Sequence, residues 1–203
     1  MTIPFEPYPK TPRLEKPVVI TEKIDGTNAQ IHIRPVDEYY DPKYDSLIFN
    51  QDKTDSEPGG CLLRAGSRNR WVSVGDDNYG FAGWVADNAA ELVNLGHGKH
   101  FGEWWGRGIQ RGYDMWEKHF SLFNVNRWTK LDPDKNAWVK TCPACCDVVP
   151  VISYGASITE DVPEILEWFK KTGSLAAPGF MRPEGLVAFH TGSGQVYKII
   201  VDK

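Results

Sequence analysis

A chain of 203 residues with 41% hydrophobic content has the size and apolar fraction of one folded domain, with little room for a second. A formal net charge of −4 excludes a generally basic, nucleic-acid-coating surface, so any contact with nucleic acid must rest on a local patch. No apolar run approaches the roughly 20 residues that cross a bilayer, and the Pro-rich opening MTIPFEPYPKTPRLEK lacks a signal-peptide core, so a cytoplasmic protein of the producing or infected cell, with no membrane partner, is expected.

The first strand signal runs from Pro17 to Ile20. After Asp25-Gly26-Thr27-Asn28 comes the alternating stretch Ala29 to Arg34, and an Asp-Gly between two strand signals predicts a hairpin. Residues 37–60 are polar with scattered aromatics and read as a long loop or an irregular hairpin; GCLLRAGSRNRWV then resumes a strand that ends at a Gly-Ser-Arg turn. From Asp77 to Leu95 the apolar spacing of Phe81, Trp84, Val85, Leu92 and Val93 predicts an amphipathic helix stopped by Gly96. A second helix is signalled by Asp161 as N-cap, Pro163 in the first turn and Glu164 as its acidic partner, with Ile165, Leu166 and Phe169 as the buried face and Gly173 as the stop. The remaining segments KHFGEWWG, FSLFNVNRW, DVVPVISYG, EGLVAFH and GQVYKIIVD are short, aromatic and β-branched, as strands are. Many strands, few helices and no regular βα alternation predict an α+β fold of mainly antiparallel sheets with flanking helices.

Four cysteines, three of them in CPACC at Cys142, Cys145 and Cys146, fit reduced thiols better than a disulfide framework. Half of a zinc site is open to them, but no second C-x-x-C or H-x₃₋₅-H completes one. The five histidines, His32, His97, His100, His119 and His190, show no ligand or triad spacing.

The charged run Glu22-Lys23-Ile24-Asp25 interrupts the predicted hairpin. A strand lysine usually points to solvent, and on that reading the motif is a turn. The sharper reading makes Lys23 a nucleophile for the α-phosphate of a nucleoside triphosphate, which requires a lysine that can shed its proton. The flanking carboxylates oppose this unless one serves the nucleotide and another a hydrated metal ion.

At this point the sequence resembles the covalent nucleotidyltransferases, which comprise ATP-dependent DNA and RNA ligases and messenger-RNA capping enzymes. EKIDGTN is most similar to the phage RNA ligase 2 family, and the other motifs follow in order through AGSRNRW, FGEWWGRGIQRGY, FSLFNV, EGLVAF and VYKII. The resemblance implies a nucleotidyltransferase (ATP-grasp-like) domain over residues 1–203, ATP and Mg²⁺ or Mn²⁺ as cofactors, and a lysyl-AMP on Lys23. Glu22, Asn28, Arg68, Glu103 and Phe123 would bind the nucleotide, with Glu103 at the ribose and Phe123 stacked on adenine. Asp25 and Glu184 would serve the metal, and Lys198 the α-phosphate. The implied partners are RNA ends, a 5′-phosphate and a 3′-hydroxyl, including those of a nicked duplex, in RNA repair.

Two features depart from the family. Its last motif carries two lysines one residue apart, whereas Lys198 is followed by Ile199 and Ile200; a basic residue after the strand glutamate is also missing, with Arg182 or Lys203 as candidate substitutes. Relatives also carry a further C-terminal domain that helps bind RNA ends, while this chain stops at Lys203, so no separate RNA-binding domain is expected. Self-adenylylation is therefore implied more directly than strand sealing. The Lys-x-Asp-Gly core is shared with DNA ligases and GTP-using capping enzymes, and a non-catalytic nucleotide- or nucleic-acid-end-binding module is the alternative from another class.

Overall fold

The computed structural model describes residues 3–36, 39–49, 60–134 and 137–201. In chain order the strands are β1 (Val18–Lys23), β2 (Thr27–Pro35), β3 (Asp45–Phe49), β4 (Gly60–Ser67), β5 (Gly98–Gly106), β6 (Lys118–Leu122), β7 (Thr129–Asp132), β8 (Ala137–Lys140), β9 (Asp147–Val148), β10 (Val151–Ala156), β11 (Gly185–His190) and β12 (Val196–Ile200). The helices are α1 (Phe81–Asp87), α2 (Ala89–Leu92), α3 (Val125–Trp128) and α4 (Asp161–Thr172). One sheet runs β10-β1-β11-β12 and is antiparallel throughout. The other runs β3-β4-β2-β5-β6-β9, antiparallel except for its β6–β9 edge, and β7 and β8 form a separate ribbon. The α+β class and the antiparallel character match the sequence expectation.

The expected hairpin does not form. β1 pairs with β10 and β11 in one sheet, while β2 pairs with β4 and β5 in the other, so Asp25-Gly26 is a crossover between sheets. The amides of the would-be turn are held from elsewhere, Asp25 N by the Tyr113 hydroxyl at 2.8 Å and Gly26 N by the Glu103 carboxylate at 3.1 Å. Gly26 lies so close to the Trp104 carbonyl and the Trp105 side chain that a Cβ would collide with both. The two strands also differ in burial. VVITEK is buried almost end to end, the mark of a central strand covered on both faces, whereas β2 alternates.

Each sheet has its own hydrophobic backing. Ile31, Ile33, Leu63, Phe81, Leu92, Trp104 and Phe120 pack the α1–α2 layer against the six-stranded sheet. Val18, Ile20, Leu186 and Ala188 pack against Phe169 of α4, whose full burial is worth roughly 2–3 kcal/mol. The helix predicted over residues 77–95 is real but broken: Asn88 separates α1 from α2, a single 3₁₀ turn covers Val93–Leu95, and Gly96 ends it at φ 78°. Asp77 secures its start by accepting Ala82 N at 2.8 Å and Gly83 N at 3.2 Å. In α4 the expected capping box is replaced by a backward bond: the Asp161 carboxylate accepts Ser157 N at 2.7 Å, closing the turn before the helix. Gly173, at φ 81°, terminates α4 as expected.

Within residues 37–60, β3 pairs with β4; residues 37–38 and 50–59, like Lys203, lie outside the described set. Among the described residues no helix is long and apolar enough to cross a membrane.

Candidate active site

Strand alternation sorts the residues of β1. Val18 and Ile20 turn toward α4, while Val19, Thr21 and Lys23 line a cavity of about 790 Å³ between the sheets. β11 contributes Val187 and Phe189 on the same period, and β12 contributes Val196 and Lys198. The six-stranded sheet supplies Asn28 from β2 and Phe101 and Glu103 from β5, with Arg68 and Phe123 from the adjoining loops. Six residues singled out in the sequence, Lys23, Asn28, Arg68, Glu103, Phe123 and Lys198, thus face one cavity of the size small-molecule sites commonly have.

Glu184 is brought to Lys23 by sheet register. Lys23 pairs with Gly185 across β1 and β11, and the preceding carboxylate accepts from Lys23 Nζ at 2.6 Å. Gly185 allows this close packing, because a Cβ there would collide with the Ile199 carbonyl of β12. The pair is partly shielded, at 26% and 18% side-chain exposure, so its attraction is less screened than that of a surface ion pair.

A polar relay crosses the opposite wall. Arg68 Nε donates to Asn28 Oδ1 at 3.1 Å, Asn28 Nδ2 donates to Glu103 Oε2 at 2.8 Å, and Gly26 N donates to Glu103 Oε1. Both ends of the Asn28 amide are engaged, which fixes its orientation. Burial pushes the Glu103 carboxyl up to about 7, opposed by the Asn28 hydrogen bond and the charge of Lys23. Phe123 is 42% exposed and its amide donates to the Phe101 carbonyl, so the two residues adjoin at the cavity rim.

Two carboxylates of the charged run are placed differently from the sequence expectation. Glu22 borders the cavity, but its carboxylate accepts Ser174 Oγ at 2.6 Å and the amides of Leu175 and Ala176 at 2.8 Å each. It anchors the segment after α4 instead of facing the nucleotide, because neighbours on a strand point to opposite sides. Burial pushes its carboxyl upward, and the three donors partly offset this. Asp25, expected at a metal, is paired with a cation instead: Arg111 Nε reaches its Oδ2 at 3.0 Å. The same guanidinium donates to the Arg182 carbonyl at 2.9 Å and the Pro183 carbonyl at 3.4 Å, tying the motif to the residues just before Glu184.

Arg111 and Tyr113 are residues that sequence reasoning passed over. They lie in the GEWWGRGIQRGY string, from which only Glu103 was singled out. The available signal was its glycine spacing: Gly106, Gly108 and Gly112 have positive φ, and so do Gln110, Tyr113 and Asp114, a strained loop of the kind that holds side chains at functional sites. Val187, Phe189 and Val196 carried no such signal, since they read as ordinary strand residues. Of the candidate substitutes for the missing basic residues, the Arg182 guanidinium lies over the Phe180 ring at 5.6 Å and Lys203 lies outside the described residues; Ile200, where the family's second lysine would stand, is opposite Gly185.

Among the described residues no three His, Cys, Asp or Glu side chains gather into a ligand cage, and the described cysteines are free thiols. Glu184 beside a cavity with room for a polyphosphate nevertheless fits a hydrated Mg²⁺-type ion, which takes one or two carboxylates and fills its octahedron with water and phosphate oxygens.

The chain resembles several solved structures of an RNA ligase from Naegleria gruberi. A mutant with ATP and Mn matches at a TM-score of 0.52 and 14% identity, over 93% of this chain and 50% of that one. A mutant with AMP and Mn matches at 0.52 and 16%, over 92% and 50%, and another with ATP and Mn at 0.51 and 15%, over 92% and 49%. The chain therefore spans about half the length of the structures it matches, and at this identity the likeness establishes the fold. No curated protein matches the chain. The family model described as RNA ligase matches residues 16–199, nearly the whole sequence, and the chain belongs to the RNA ligase family.

Proposed function

We propose that this protein is an ATP-dependent RNA ligase-type nucleotidyltransferase that carries AMP on Lys23. The observation that carries the reading is the convergence of Lys23, Glu184 and Lys198 on one side of a cavity whose other side presents Glu103, Asn28 and Phe123. Phe123 offers a ring face for adenine, Glu103 a carboxylate for the ribose hydroxyls, and Arg68 a guanidinium for ribose or phosphate.

Lys23 Nζ attacks the α-phosphorus; the P–N bond forms, the bond to the β-phosphate oxygen breaks, and pyrophosphate leaves. Glu184 Oε2, 2.6 Å from Nζ, is the acceptor placed for the proton that the amine must shed. Lys198 offsets the charge that grows on the α-phosphate oxygens. A divalent ion such as Mg²⁺ or Mn²⁺, held by Glu184 through water, would supply further charge neutralisation on the phosphates. Asp25, the other carboxylate expected to serve the metal, holds Arg111 through Oδ2. A 5′-phosphate oxygen of an RNA end then attacks the lysyl-AMP, the P–N bond breaks and Lys23 leaves. Finally a 3′-hydroxyl displaces AMP to seal the strand, as in a nicked duplex during RNA repair.

The test is incubation with α-labelled ATP and Mg²⁺ or Mn²⁺ followed by denaturation. Label on the wild type and none on Lys23→Ala is the expected result. An unlabelled wild type across metals overturns the enzyme reading, and label on Lys23→Ala overturns the choice of nucleophile.

A further inference from the structure

The Lys23–Glu184 pair sits where two strands run out. Lys23 opposite Gly185 is the last register pair of β1 and β11; after Lys23 the chain crosses to the other sheet, and before Gly185 it is irregular. The end of a ladder frays unless something else holds it. β12 leads into one such hold, because the Glu184 carbonyl accepts Val201 N at 2.9 Å. That bond leaves the amides of Glu184 and Asp25 outside the strand pairing.

Both loose ends are gripped by one loop. Arg111 places its Nε on the Asp25 carboxylate and its Nη1 on the Arg182 and Pro183 carbonyls. Tyr113, two residues on, reaches the same two segments from the buried side. Its hydroxyl accepts Asp25 N at 2.8 Å, and the backbone amide of Glu184 faces the same oxygen. A neutral phenol oxygen has two lone pairs, one for each amide. Burial keeps it neutral by pushing its pKa well above the ordinary 10.

The ring that carries this oxygen is fixed by packing. It is 1% exposed, meets Trp105 edge-on at 5.3 Å and lies 4.6 Å from the Phe180 ring. Trp105 is itself pinned, its indole N–H donating to Ser121 Oγ at 2.9 Å. The Tyr113 backbone is left-handed at φ 53°, a conformation that an aromatic residue keeps only where its surroundings impose it.

We infer that Tyr113 is a positioning residue for Lys23 and Glu184: its hydroxyl ties the two strand ends to one point and so sets the approach of Glu184 Oε2 to Lys23 Nζ at 2.6 Å. Tyr113 does not border the cavity, so it acts through the two strand ends and not on the nucleotide. A misplacement of about 1 Å between reacting groups costs up to about a hundredfold in rate, which makes a remote hydroxyl that sets this approach consequential. The inference rests on the nucleotidyltransferase reading for the step it serves, but the hold on the two amides is measured without nucleotide.

The test is Tyr113→Phe, which keeps the ring and removes the oxygen. Single-turnover labelling with α-labelled ATP and Mg²⁺ is expected to run about tenfold slower at saturating ATP, with half-saturation unchanged. A residue that only stabilised the fold would leave the maximal rate of the folded protein alone. Hydrogen exchange followed by ¹⁵N NMR gives the second readout: the Asp25 and Glu184 amides should exchange about fivefold to tenfold faster in Tyr113→Phe, beyond any general change seen in α4, as expected for one lost hydrogen bond each. In a wild type that labels, an unchanged maximal rate in Tyr113→Phe, or a change confined to half-saturation, overturns the inference. Free exchange of either amide in the wild type overturns it as well, and needs no variant to fold. A wild type that takes no label while Tyr113→Phe releases both amides sinks the nucleotidyltransferase reading and leaves the hold on the two strand ends standing.

Discussion

Glu22 and Glu103 are both buried carboxylates close to Lys23, at 1% and 7% exposure, yet they serve different purposes. Glu22 faces α4 and takes all its donors from one short segment, residues 174–176. Glu103 takes Asn28 and Gly26 as partners and opens onto the cavity. The lesson is that burial alone does not mark a reactive or binding carboxylate. The origin of its donors separates them: Glu22 draws its set from one packed segment and is an anchor, whereas the set of Glu103 borders the cavity, as the proposed ribose contact requires.

The strongest way to break this contrast is Glu22→Ala. It leaves a buried hydroxyl and two amides without their acceptor and should cost roughly 3 kcal/mol in urea unfolding, with ATP affinity retained in the protein that remains folded. If stability held and ATP binding collapsed instead, the two carboxylates would be functionally alike. Phe123→Ala tests the cavity side in the opposite sense. Nucleotide affinity should fall about tenfold with unfolding free energy changed by less than about 0.5 kcal/mol, whereas Phe169→Ala behind β1 should cost about 3–5 kcal/mol.

The pH dependence of Glu103 separates the two sites further. With its carboxyl raised from 4.5 to about 7, the folded protein holds a proton that the unfolded chain releases between those values. Its contribution to stability is therefore present below pH 4.5 and lost as pH rises through about 7. On the proposed ribose contact, nucleotide binding has the opposite sign, because ribose hydroxyls would donate to the ionised form. Affinity should be about tenfold weaker at pH 6 than at pH 8, following the ionised fraction, and calorimetric titration of Glu103→Gln should show a flat profile. The smallest expected effect comes from Arg111→Ala, which frees Asp25 and the carbonyls before Glu184. Lysyl-AMP formation at saturating ATP should slow about threefold to tenfold, with half-saturation unchanged; a pure loss of ATP affinity would show that Arg111 serves binding instead.

Much of the site was legible because its chemistry is written in residue types that a strand does not otherwise need. Lys23, Glu103 and Lys198 each interrupt an apolar or aromatic run, and the structure brings them to one cavity. What the sequence misreported depends on partners far along the chain. Asp-Gly spells a hairpin locally, but Tyr113 and Glu103, 88 and 77 residues away, take the amides that the turn was expected to organise. The partners of Glu22 lie more than 150 residues away, so its neighbour Lys23 gave no hint that the two point to opposite faces. One clue to the fold was readable in advance: VVITEK does not alternate, and an unalternating strand belongs in the middle of a covered sheet.

The crossover at Gly26 also makes Lys23 a mechanical element. Three residues, 24 to 26, connect the last residue of β1 to the first of β2, and an extended tether of that length reaches about 10 Å. The two sheets are thus leashed at Lys23, and Gly26, wedged under the Trp104 carbonyl, leaves the leash no slack. Any breathing of the cleft must pivot close to Lys23 Nζ, so widening the entrance for a bulky strand end displaces the distant rims far more than the amine.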